Sequence, residues 1–210
     1  MKQTVIYRPF KKEDIKELTQ VISQSWNYEA LFSPSTAKHF AHLFLYFELA
    51  RKTFAQVAEI AGKPVGIIIC EVKKPKIWKN FAYYPKLLKH GISLLLSKEG
   101  RGVLFKYAAD VARKNNQMLK DTGEEFDTEV ALFAVSPHTQ GLGVGSKLFQ
   151  YFLDAMKEQE LKSFFLYTDT TCNYKFYERK GLKRIADVKR FIPYPLNKEI
   201  NFFIYKGIAD

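Results

Sequence analysis

The chain has 210 residues, a formal charge of +11 and 47% hydrophobic residues, enough apolar surface for a buried core. No run of roughly eighteen apolar residues occurs and the opening residues lack a secretion signal's apolar stretch, which argues against a transmembrane helix or an exported chain. Cys70 and Cys172 are the two cysteines and have no metal-ligand spacing, so a disulfide framework or zinc site is not expected, and the composition suits a reducing, cytoplasmic setting.

The basic balance favours an anionic partner: nucleic acid, a membrane surface or a polyanionic cofactor. Charge alone does not choose among them. In chain order, residues 4–7 read as a short strand closed by Arg8-Pro9. A helix follows from about Lys12, with Ile15, Leu18 and Ile22 on one face and Asp14 in its first turn, where a negative charge suits the helix dipole. Ser33-Pro34-Ser35 breaks the chain before a second helix, in which Phe40, Leu43, Phe44 and Phe47 recur at helical spacing. Residues 53–60 and 65–72 form a hairpin signal around Ala61-Gly62-Lys63-Pro64. The second of these runs is apolar enough to be buried on both faces.

Residues 73–125 are less regular. Lysines surround Pro75, and Ile77, Trp78, Phe81, Tyr83, Tyr84, Leu87 and Leu88 mix aromatic with aliphatic groups before a helix over 103–118. Twelve Lys/Arg stand against five Asp/Glu in this stretch. Beyond an acidic turn, the chain sharpens. A strand is predicted over 129–135, a Gly-containing loop over 136–146, an amphipathic helix over 147–160 and a strand over 163–168. A short helix over 173–180 then stops at Gly181, and two closing strands cover 184–188 and 201–206. The class is α+β, and the strand–loop–helix–strand unit at its centre implies a parallel strand pair.

The chemistry sits in that loop, Val135-Ser136-Pro137-His138-Thr139-Gln140-Gly141-Leu142-Gly143-Val144-Gly145-Ser146. A helix start offers unpaired N–H groups and a partial positive charge, and glycines remove side chains that would keep a phosphate away. The loop therefore reads as an anion cradle suited to a diphosphate. A Walker A loop fails, because Gly145 is followed by Ser146-Lys147 instead of Lys-Ser/Thr. A dinucleotide fingerprint fails at its third glycine, which is Ser146 here. The remaining pattern, Gln/Arg-x-x-Gly-x-Gly/Ala, is met by Gln140, Gly143 and Gly145.

With Val135-x-Pro137 before it and Phe176-Tyr177-Glu178-x-x-Gly181-Leu182 downstream, the chain resembles the GNAT superfamily of N-acetyltransferases. Tyr7-Arg8-Pro9, the following helix and the hairpin fit that family's N-terminal half. The resemblance implies a mixed, mostly antiparallel twisted sheet of about seven strands flanked by helices, in one domain over 1–210. Residues 73–125 would be a helical insertion between strands 3 and 4, forming a lid over the acceptor cleft or extra core helices.

It also implies transfer of an acetyl group from acetyl-CoA to a primary amine in a ternary complex, without a metal. The backbone of Phe133, Ala134 and Val135 would bind the pantetheine arm. The N–H groups of Gln140, Gly141, Leu142, Gly143, Val144, Gly145 and Ser146 would hold the pyrophosphate. Tyr177 would lie near the sulfur and protonate the thiolate, as a phenol with a pKa near 10 can. The family's CoA-holding Asn falls at Thr170, with Asn173 the nearest asparagine. Glu129 and Glu71, at strand ends, are candidate bases, each also readable as a solvated end. The alternative is a CoA-binding sensor without turnover. No nucleic-acid partner and no stable membrane association is expected; a homodimer is left open.

Overall fold

The computed structural model describes residues 4–73, 80–139 and 141–209. The chain opens with β1 (Val5–Pro9), a 3-10 turn (Lys12–Asp14) and α1 (Ile15–Ser25). Leu18 and Ile22 are fully buried, as their spacing requires. Asp14 does more than suit a dipole. It is buried, accepts both terminal nitrogens of Arg8 at 2.7 and 2.8 Å, and accepts the Lys11 N–H at 2.8 Å. A buried carboxylate is tolerated when it is paired this fully. The pair ties the end of β1 to the start of α1.

Next come α2 (Tyr28–Leu31) and α3 (Pro34–Arg51), the latter capped by the Ser33 side chain, which accepts the Thr36 N–H. The strands β2 (Phe54–Ile60) and β3 (Lys63–Val72) meet at Ala61-Gly62, whose φ values of 49° and 78° make a two-residue hairpin turn. The turn is tighter than the sequence pattern suggests, and Pro64 lies inside β3.

Among the described residues between β3 and the next strand stand α4 (Tyr84–Leu95), α5 (Lys98–Arg101), a π-helical stretch (Gly102–Ala108) and α6 (Ala109–Asp121). The helix expected over 103–118 thus starts earlier and ends later. Lys74, Pro75, Lys76, Ile77 and Trp78, read as part of the aromatic stretch, lie outside the described residues. The remainder is β4 (Thr128–Val135), α7 (Val144–Glu158), β5 (Ser163–Asp169), α8 (Lys175–Arg179), β6 (Lys183–Ile192) and β7 (Lys198–Ile208).

The seven strands form one sheet in the order β1-β2-β3-β4-β5-β7-β6. Among the described residues only β4 and β5 run parallel, and they pair only at Thr128–Phe164 and Glu129–Phe165. Beyond that point β4 stays on β3 as far as Val135, while β5 stays on β7 as far as Asp169. A gap therefore opens between them toward the carboxyl end of β4.

Apolar layers cover both faces. On one, α1 and α3 pack against Ile67, Ile69, Leu132 and Ala134. On the other, α7 packs against Ile68, Cys70, Val130 and Phe164. Cys70 is a buried free thiol used as a small apolar group. Met118 of α6 joins Phe165, Phe202 and Ile204 in a third cluster, and Tyr107 touches both this cluster and the α1–α3 layer. The helical segment thus bridges the two halves of the sheet on the α3 face.

Candidate active site

The cradle loop closes on itself before it meets the helix. The Ser136 N–H donates to the Val65 carbonyl at 2.7 Å, and the Thr139 hydroxyl and N–H donate to the Ser136 carbonyl at 2.8 and 3.0 Å. The Leu142 N–H is spent on the Thr139 carbonyl at 3.2 Å. Gly143 then caps α7 with φ 74°, so Val144, Gly145 and Ser146 form the first turn, whose N–H groups have no partner within a helix. A side chain at Gly141 or Gly143 would meet nothing within 4 Å. The surface is open there, as a bound diphosphate needs. Gln140 lies outside the described residues, and His138 is exposed.

The glycines are not equivalent. Gly143 has the left-handed φ that a β-branched residue resists, whereas Gly145 has ordinary helical geometry and a Cβ there would touch the Phe133 ring at a comfortable 3.6 Å. Gly143→Val is expected to weaken acetyl-CoA capture at least about tenfold and to cost about 1–2 kcal/mol of stability. Gly145→Ala is expected to retain binding and to shift stability by less than about 1 kcal/mol. Calorimetric titration with acetyl-CoA alongside urea unfolding checks both. Equal losses in the two variants would refute the distinction.

On the α7 face, the Phe133 ring packs 5.6 Å from Phe176 and seats α8 against β4. Glu178 pins the same helix to the closing hairpin by accepting from the Tyr205 hydroxyl at 2.9 Å and from Arg184. Between these anchors sits Tyr177, half-buried, its ring 5.8 Å from Tyr205. Burial, with Cys172 nearby, pushes its phenol well above the usual value, so it keeps its proton at neutral pH. The Thr170 hydroxyl is occupied: it accepts the Asn201 N–H at 3.3 Å. Asn173 is exposed, and its carbonyl accepts the Phe176 N–H at 3.0 Å.

On the opposite face, at the point where β4 and β5 part, lies a charge cluster. Glu71 and Glu129 are cross-strand partners on β3 and β4. Arg51, at the end of α3, gives Nε to Glu48 at 2.7 Å, Nη1 to Glu71 at 2.8 Å and Nη2 to Glu129 at 3.0 Å. Lys73 reaches Glu71 at 2.9 Å and Glu129 at 2.6 Å. Glu129 is therefore no solvated strand end; it is 6% exposed. Burial alone would raise its carboxyl, but Arg51 and Lys73 hold it below the usual value. Tyr167, two residues beyond the last β4–β5 pair, has its phenol raised by burial and by Glu129.

Glu48 goes the other way. Burial, with Glu129 and Glu71 close by, outweighs Arg51 and pushes it up to about 7. Its folded value thus exceeds the unfolded one, so its contribution to stability is full below about pH 4.5 and is lost as pH rises toward 7. Glu129 has the opposite sign, and its contribution is lost as pH falls below its unfolded value. Glu48→Gln is therefore expected to match or exceed the parent by about 1 kcal/mol at pH 8 and to lose that advantage at pH 5. Urea unfolding across this range tests it. A variant less stable at pH 8 than at pH 5, relative to the parent, would contradict the assignment.

Of the residues singled out in the sequence, Phe133, Tyr177 and the glycine loop gather on the α7 side of the gap, and Glu129 with Glu71 on the α3 side. Arg51, Lys73, Glu48 and Tyr167 carried no sequence signal, because the cluster is assembled on Glu129, which lies 78 residues beyond Arg51 and 56 beyond Lys73. A family model for the acetyltransferase (GNAT) family matches residues 15–182. No curated relative matches the sequence. Among solved structures, a protein from Pyrococcus horikoshii OT3 is similar with a TM-score of 0.62 at 17% identity, covering 99% of each chain. An N-acetyltransferase from Staphylococcus aureus Mu50 gives 0.57 at 12%, again covering 99% of each. The ribosomal-protein-S18-alanine N-acetyltransferase from Escherichia coli gives 0.54 at 10%, covering 99% of this chain and 95% of that one. At such identities the likeness speaks for the fold. Together with a family match over most of the chain, and with a glycine loop set at the parting of two parallel strands, it leads to one conclusion: this chain belongs to the GNAT acetyltransferase family.

Proposed function

We propose that the protein is an N-acetyltransferase that uses acetyl-CoA and a primary amine, bound together, as its two substrates. The observation that carries this reading is the short β4–β5 ladder, which ends at Glu129–Phe165 and leaves the later backbone of β4 beside an open gap with the glycine loop at its end. Phe133, Ala134 and Val135 would offer that backbone to the pantetheine arm as an added strand would. The amides of Gly141, Gly143, Val144, Gly145 and Ser146, with Gln140 and Leu142 completing the loop, would hold the pyrophosphate. Asn173, exposed beside α8, would assist, and Thr170 would act through its hold on β7.

When bound, the thioester supplies an activated acetyl group. The chain's own residues manage protons on its two sides. Tyr177 holds a proton at Oη for the departing sulfur, favoured by the environment that keeps its phenol neutral. Glu129, kept anionic by Arg51 and Lys73 and almost fully buried, would draw the acceptor's ammonium toward the gap and take up its proton only through water, with Glu71 supporting it across the strand pair. The basic surface disfavours polycationic acceptors by slowing their encounter. Release of free thiol from acetyl-CoA, followed with a panel of small amines and peptide N-termini, is the test. Turnover with at least one amine supports the reading. Tight CoA binding with no turnover on any would favour the sensor alternative instead.

A further inference from the structure

Helix α4 has two apolar faces. One is inward: Tyr83 just before it, then His90 and Leu94, are buried against α3 and its neighbours. The other points to solvent. Tyr84, Leu88, Ile92 and Leu95 are 40–68% exposed in company with Phe81, and Leu96 is 81% exposed. At 3.6 residues per turn these six occupy one arc of roughly 120°, and the Phe81 and Tyr84 rings stand 5.5 Å apart within it. Lys86 and Lys89, both exposed, fall together on the polar strip between the two faces. The helix contains no acidic residue, and exposed Lys98 and Lys106 follow it. Soluble surfaces rarely leave a continuous apolar strip of this kind uncovered.

From this arrangement we infer that α4 is a docking surface for an anionic lipid bilayer, lying in the plane of the headgroups with Leu88 and Ile92 inserted and its lysines on lipid phosphates. Charge decides the occupant. A second copy of this chain would set the same lysines against each other on a molecule already carrying +11, whereas an anionic surface answers both the apolar arc and its basic border. Attachment through one short helix is reversible and requires no membrane-spanning segment, in keeping with the lack, among the described residues, of a helix long and apolar enough to cross a membrane. This inference stands apart from the acyl-transfer reading, since neither α4 face includes a residue assigned to that site.

The test is flotation of the full chain with vesicles of phosphatidylcholine alone or with about 30% phosphatidylserine. The expected result is co-flotation with the anionic vesicles only, release at high salt, and at least about a tenfold loss of bound protein in Leu88→Glu/Ile92→Glu. A Lys86→Glu/Lys89→Glu variant should lose the preference for phosphatidylserine. Both variants should keep the parent's thermal midpoint and its stabilisation by acetyl-CoA, which shows that they are folded. Failure of the parent to float with anionic vesicles would overturn the inference. So would flotation that the Leu88/Ile92 variant leaves unchanged, or a solution dimer that this variant dissolves.

Discussion

Tyr177→Phe is expected to lower kcat about a hundredfold, the size of effect that loss of a positioned proton donor produces, while leaving acetyl-CoA binding within a factor of about two. The hydroxyl is a small part of a ring already held by packing against Phe176 and Tyr205, so its removal should not disturb α8. The pH profile adds a second readout. Because burial raises the phenol, Tyr177 gives up no proton through the neutral and moderately alkaline range, and the parent should show no alkaline fall in kcat arising from it. The rise of kcat/KM with pH should instead follow the acceptor amine losing its own proton. Single-turnover kinetics on parent and variant decide the matter. An unchanged chemical step in Tyr177→Phe would remove this tyrosine as the acid, without touching the family assignment.

The largest effect on stability is expected from Arg51→Ala. Each of three guanidinium nitrogens serves a different carboxylate, on Glu48, Glu71 and Glu129, and two of these carboxylates are buried. Removing the guanidinium leaves the carboxylates to repel one another with only Lys73 between two of them. Breaking a buried pair by deleting one partner costs about 3–5 kcal/mol, a large share of a typical domain's stability. Arg51→Lys should recover only part, since a single ammonium cannot place three donors in three directions. The deficit should shrink as pH falls toward 5, because the freed carboxylates can then take up protons, and Glu48→Gln added to Arg51→Ala should restore part of it at pH 8. Urea unfolding of the set at pH 5 and pH 8 is the measurement. A loss under about 1 kcal/mol in Arg51→Ala would mean the cluster is ornamental and that Glu129 is not held anionic by it.

Much of the glycine loop's local structure was legible from the chain because its physics is local. Glycines at positions 141, 143 and 145, a strand before them and an amphipathic helix after them lie within one short stretch, and the periodicity of 3.6 against 2 separates those elements without any distant contact. The same holds for Gly181, which ends α8 with the left-handed φ of 78° that its place in the sequence predicts. Strand ends were less legible: β6 and β7 run to Ile192 and Ile208. The last rung of β6 is set by its pairing with β7, and that of β7 by its pairing with Ser163 of β5, not by composition.

Local order along the chain thus determined the element types, the parallel pair and the glycine loop. Only tertiary structure decided what stands beside them. Arg51 and Glu129 are 78 residues apart and meet because β3 and β4, shifted in register between Ile69 and Cys70, pair Glu71 with Glu129 under the end of α3. A one-residue slip of that register would turn Glu129 to the other face. Likewise α4 is apolar on two sides, so periodicity could not say which side would be buried. The packing of His90 and Leu94 against α3 settled that and left Leu88 and Ile92 facing water. Charge pairing and burial are properties of distances through space, and those distances are set by the assembled sheet.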